Sequence, residues 1–141
     1  MVAKPFAYVL DSFAVLAYLG GEAGMSRVRE ILNQGEAEAY PIYLSLINLG
    51  EVLYITEREN GLVEARQVLA AIDQLPVQIV PVSRDTVLAV AHVKARYPIS
   101  YADAFAVVTA QDYKGVLMTG DPEFESVAKD TIVSIEWLPR S

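Results

Sequence analysis

The chain has 141 residues, of which 53% are hydrophobic, with no cysteine and a formal net charge of −7. Those values exclude a disordered chain, a disulfide framework, a thiolate metal site and a cysteine nucleophile. They also argue against a broad electrostatic grip on nucleic acid, whose usual footprint is a basic face.

One domain over residues 1–141, large enough for its own core, is expected. No apolar run reaches the roughly 18 residues that a membrane span needs. The opening MVAKPFAYVLD carries one lysine and meets an aspartate too early for a signal peptide. A cytoplasmic protein with no membrane contact is the expectation.

In chain order, Phe6 to Leu10 reads as a strand leading into a short helix, Ser12 to Leu19, which Gly20-Gly21 stops. Ser26 to Gln34 has helical spacing at Val28, Ile31 and Leu32, with Gly35 as its stop. A second strand is expected over Ala39 to Tyr43. Ser45 is a good N-cap for a helix reaching Glu59, ended by Asn60-Gly61. Leu62 to Leu75 is a further amphipathic helix, Val77 to Val82 a strand, and Ser83 caps a helix reaching about Tyr97. Ser100 opens a helix to Tyr113, GVLMT at 115–119 is a short buried strand, Asp121-Pro122 opens a small helix, and Ile132 to Leu138 is a last strand. Short apolar strands alternating with helices predict a parallel sheet covered on both faces, an α/β sandwich.

In such sheets the site lies outside the carboxyl ends of the strands. Asp11 follows the first strand directly, and Asp121 follows GVLMT with only Gly120 between. Two more acids interrupt apolar helices. Glu51 stands in SLINLGEVLYI with Asn48 three residues back, and Asp103 is the only charge from Ile99 to Ala110. Each has an ordinary structural explanation. Asp11 and Asp121 suit N-caps, Ser100 and Asp103 resemble a capping box, and Glu51 has Arg58 two turns on as a partner. Four such explanations at four favourable places are together less economical than one site.

Convergent acids need a counter-ion, since two carboxylates about 5 Å apart repel by roughly 3 kcal/mol at an effective dielectric near 20. Oxygen-only donors suit Mg²⁺ or Mn²⁺ and not zinc. The lone His92 falls in an apolar helix and is left out of the site. Carboxylates holding such ions favour hydrolysis of phosphodiesters. A haloacid-dehalogenase-type phosphatase needs a second aspartate two residues after the first, where this chain has Phe13.

With VLDSFAVLAYL, SLINLGEVLY, SYADAFAV and VLMTGDPEF in this order, the chain resembles the PIN-domain nucleases, in particular the VapC-like toxins of prokaryotic toxin–antitoxin pairs. The resemblance implies a Rossmann-like α/β/α sandwich with a central parallel sheet. It also implies an endoribonuclease dependent on Mg²⁺ or Mn²⁺, a homodimer, and inhibition by a cognate antitoxin protein. Carried over, Asp11, Glu51, Asp103 and Asp121 are the catalytic, metal-binding acids, and Glu123 assists or replaces Asp121. Ser12 and Thr119 stand where hydroxyls accompany the acids, and Asn48 shares the polar stripe of Glu51. Lys94 and Arg96, just before the loop to Asp103, are the expected holders of substrate phosphate, although both also suit a helix C-terminus. Few basic residues would fit a selective enzyme for a structured RNA such as tRNA. The competing expectation is a non-catalytic PIN-like module that only binds partners.

Overall fold

A computed structural model describes residues 6–140, so the ends of the expected 1–141 domain lie outside the described residues. Five parallel strands make one sheet in the order β3-β2-β1-β4-β5. They are β1 (Tyr8–Leu10), β2 (Ile42–Ser45), β3 (Gln78–Val80), β4 (Val116–Thr119) and β5 (Ser134–Trp137). The helices are α1 (Ser12–Leu19), α2 (Met25–Glu36), α3 (Leu46–Asn60), α4 (Leu62–Asp73), α5 (Arg84–Arg96), α6 (Tyr101–Asp112) and α7 (Glu125–Lys129), with a 3₁₀ turn at Pro122–Phe124. The expected α/β/α sandwich is what forms. Among the described residues, no helix is long and apolar enough to cross a membrane.

The strands alternate sides with the period of two that a pleated strand imposes. Tyr8, Leu10, Ile42, Leu44 and Met118 face the core shared with α1, α2, α3 and α4. Val9 and Leu117 face the core shared with α5, α6 and α7. Every residue of α6 from Asp103 to Ala110 is buried. Its small and β-branched residues let it lie close against the sheet, as a helix apolar all round must be covered all round. Ser45, Ser83 and Ser100 cap α3, α5 and α6 through their hydroxyls, as the sequence predicts.

Three expectations need correction. Gly35 does not stop α2, which runs on to Glu36. A Cβ at Gly35 would come within 2.4 Å of the Ile42 side chain, so the glycine lets α2 approach β2. The second strand starts at Ile42, three residues later than expected, and ends on the same Ser45 that caps α3. The remaining strands are shorter than expected at one or both ends.

Candidate active site

Parallel strands put their carboxyl ends along one edge, and β1 pairs with β4 so that Leu10 is level with Met118. Asp11 and Thr119 therefore stand side by side just beyond that level. Asp11 caps α1, accepting the Ala14 N–H at 2.8 Å. It is 1% exposed, and burial pushes its carboxyl up to about 7 although hydrogen bonds from Thr119 and Ala14 pull the other way. The negative charges of Asp121 and Glu51 raise it further. Asp11 is thus both the helix cap and a member of an acidic group, two roles that the sequence presents as alternatives.

Chain geometry brings in the others. The Thr119 hydroxyl accepts the Asp121 N–H at 3.0 Å, and Asp121 accepts the Glu123 N–H at 2.9 Å while capping the 3₁₀ turn. That turn folds Glu123 back, so that carboxylate oxygens of Asp103, Asp121 and Glu123 all lie within 4.8 Å of one another. Glu123 thus stands beside Asp121.

Asp103 enters from the first turn of α6, where its N–H is capped by the Ser100 hydroxyl at 3.0 Å. The expected capping box is only half made, because the Asp103 carboxylate does not reach back. Its Oδ2 is buried with no hydrogen-bond partner among the described residues. Burial and the neighbouring carboxylates of Glu123, Asp121 and Asp11 all raise its pKa well above the usual range.

Glu51 reaches the site from α3. It accepts a 2.5 Å hydrogen bond from the Ser12 hydroxyl and makes no pair with Arg58, which lies over the Tyr54 ring. Asn48, one turn earlier and fully buried, donates to the Ala102 carbonyl at 3.1 Å and so ties α3 to the start of α6. Its Oδ1 is also buried and unpartnered. The four acids expected from sequence thus share one electrostatic environment, with Ser12 on Glu51, Thr119 on the Asp121 N–H and Asn48 tying α3 to α6. Lys94 and Arg96 do not join them. Both are exposed on α5, and Arg96 lies over Tyr97 with one nitrogen 3.5 Å from His92 Nε2.

A family model described as the PIN domain matches residues 8–130, nearly the whole of this fold and all of these acids. The chain belongs to the PIN-domain family. Its fold is shared with VapBC2 from Rickettsia felis, solved bound to a DNA fragment from its promoter: TM-score 0.72, 16% identity, covering 94% of this chain and 99% of that one. It is also shared with Mycobacterium tuberculosis VapC20, described as a sarcin-ricin-loop-cleaving toxin: TM-score 0.70, 18% identity, covering 94% and 99%. A toxin–antitoxin complex from Klebsiella pneumoniae is similar at TM-score 0.58 and 22% identity, covering 85% and 92%. No curated protein matches the chain.

A divalent cation fits the residues of this PIN domain. Asp103 has a buried, unpartnered oxygen and a carboxylate oxygen within 4.8 Å of those of two further acids, and every donor in the group is an oxygen. That is the ligand chemistry of Mg²⁺ or Mn²⁺.

Proposed function

We propose that this PIN domain is an endoribonuclease dependent on Mg²⁺ or Mn²⁺ and the toxin of a toxin–antitoxin pair. The observation that carries the proposal is the unpartnered Oδ2 of Asp103 within an acidic group drawn from separate segments of the chain. A buried carboxyl oxygen without a partner costs stability that a bound ligand would return.

Asp11, Asp103 and Asp121 hold the ion, with Glu123 beside them. A bound ion would supply activation of water and neutralisation of the charge that develops during in-line displacement at phosphorus. The protein's own part is positioning. Thr119 fixes Asp11 and the Asp121 backbone, and Ser12 fixes Glu51. Glu51, half-buried and so in contact with solvent, takes up the proton that the attacking water loses. Lys94 and Arg96 contribute more remotely, by attracting RNA phosphates.

An RNA substrate is supported by the fold shared with VapC20, whose name records cleavage of the sarcin-ricin loop. An antitoxin partner is supported by the toxin–antitoxin complexes among the similar structures. A cleft of about 340 Å³ between α1, α3 and α4 supports it too. Phe13, Leu16, Ile55 and Val68 line it beside Glu22, Glu59 and Glu64, which suits a basic amphipathic segment of a partner. Exposed Leu46, Leu88 and Tyr101 are available to the homodimer that the family resemblance implies.

The test is incubation of the purified protein with total cellular RNA, with Mn²⁺ or with EDTA, followed by sequencing of new RNA ends. Discrete Mn²⁺-dependent ends that Asp103→Asn abolishes are expected. A protein that binds Mn²⁺ but produces no such ends would contradict the ribonuclease.

A further inference from the structure

We propose that the cavity between α7 and the end of β5 is a stacking subsite for a single-stranded nucleotide near the cleaved bond. Trp137 forms the platform, and Lys129 and Arg140 hold the phosphates. The subsite rests on the ribonuclease reading above and adds where and in what form the RNA is held.

Trp137 is the only tryptophan of the chain, yet it is 43% exposed at the end of an edge strand. An indole in that position leaves apolar area in water that a core position would have buried. Its backbone is nonetheless rigidly placed. Trp137 is the register partner of Thr119, and the next residue, Leu138, donates its N–H to the Thr119 carbonyl at 2.8 Å. Neighbouring strands lie about 4.8 Å apart. The Trp137 backbone is therefore one strand away from the residue that hydrogen-bonds both Asp11 and the Asp121 N–H.

The cavity beside it measures about 480 Å³ and is lined by Glu125, Ala128, Lys129, Trp137, Leu138 and Arg140. Among the described residues, neither Lys129 nor Arg140 forms an ion pair, whereas Arg27 is held by Glu136 and Glu30. Arg58 and Arg96 lie over tyrosine rings. The neighbouring Asp130 accepts the Tyr97 hydroxyl at 2.9 Å. Glu125 is thus the one acid of the lining, set against two uncommitted cations and an exposed indole. Aromatic platforms combined with basic side chains are how single strands are gripped without regard to sequence. In a chain with net charge −7, this local arrangement supplies the cations that the composition as a whole does not.

The single indole makes the experiment direct. Tryptophan fluorescence of the full chain is followed while single-stranded oligoadenylate is added in Ca²⁺ buffer, and the strand is then recovered and checked to be intact. Saturable quenching is expected, shared by Asp103→Asn and absent with an RNA duplex, whose bases are already stacked. Lys129→Ala with Arg140→Ala should weaken binding roughly ten-fold and lower the salt slope by about 0.7 per residue removed. Glu125→Gln should tighten it. Fluorescence unmoved by oligoadenylate, in a protein that still cleaves RNA with Mn²⁺, would overturn the subsite alone. Absence of both quenching and Mn²⁺-dependent cleavage would overturn the ribonuclease reading and the subsite with it.

Discussion

Asp11 at the start of α1 and Asp103 in the first turn of α6 are both buried aspartates at one edge of one sheet, and the fold treats them differently. Asp11 accepts the Ala14 N–H and is hydrogen-bonded by Thr119. Its burial is compensated from within, and it organises α1 in return. Asp103 has its backbone N–H satisfied by Ser100, while one oxygen of its carboxylate has no partner. A helix cap explains the first aspartate without any ligand. Nothing in the packing explains the second, so the assignment of a metal site rests on α6 more than on α1.

The largest effect should come from Asp103→Asn. Loss of a supporting residue around a metal commonly costs 10- to 100-fold, so loss of this ligand should reduce Mn²⁺-dependent RNA cleavage by more than about 100-fold. The same substitution should raise the melting temperature of the protein in EDTA at alkaline pH, where Asp103 is otherwise forced to ionise among the neighbouring carboxylates. A lower melting temperature in EDTA would show Asp103 to be a structural residue like Asp11.

The pH dependence of stability sharpens the contrast. Both carboxyls keep their proton to higher pH in the folded chain than in the unfolded one, so the folded state binds more protons between the two pKa values. Their contribution to stability is fully present below the ordinary 3.8 and is lost as pH rises, through about 7 for Asp11 and further for Asp103. Denaturant unfolding in EDTA should show stability falling across that window. Mn²⁺ should flatten the fall, and Asp103→Asn should reduce it. A slope indifferent to both would contradict the placement of these acids.

Removal of the tie between α3 and α6 comes next. Asn48→Leu leaves the Ala102 carbonyl without its donor, which should cost about 1–3 kcal/mol in denaturant unfolding, with reduced cleavage because Glu51 and Asp103 lose their common frame. At Asp11, asparagine keeps the cap and alanine loses it. Asp11→Ala should therefore be about 1 kcal/mol less stable than Asp11→Asn, while both weaken metal binding. The smallest effect is expected for Lys94→Ala with Arg96→Ala, a few-fold loss of RNA affinity that fades as salt is raised.

Much of this was legible in the sequence where the deciding interaction is local. Ser45, Ser83 and Ser100 act within three residues of themselves, so the helix starts were readable. Asp11 and Asp121 follow their strands directly, and the parallel sheet carries both to one edge. What the sequence hid lay in long-range contacts. Gly35 looks like a helix stop until Ile42 packs against it, and the choice for Glu51 between Arg58 and the acidic group is decided only when Ser12, 39 residues away, takes its carboxylate. Glu123 stayed undecided because its place depends on the 3₁₀ turn that Asp121 caps. Trp137 was missed altogether. Its only sequence signal is an aromatic ending the last strand, and its register with Thr119 exists only in the folded sheet.

The most direct measurement is calorimetric titration of Mn²⁺ into the purified protein at neutral pH and low salt, with Asp103→Asn and Asp11→Asn alongside. Micromolar to millimolar binding by the native chain, weakened by both substitutions and most by Asp103→Asn, is the predicted result. No binding by the native chain would contradict the metal site, leave Asp11 a helix cap and favour a PIN domain that works by binding partners.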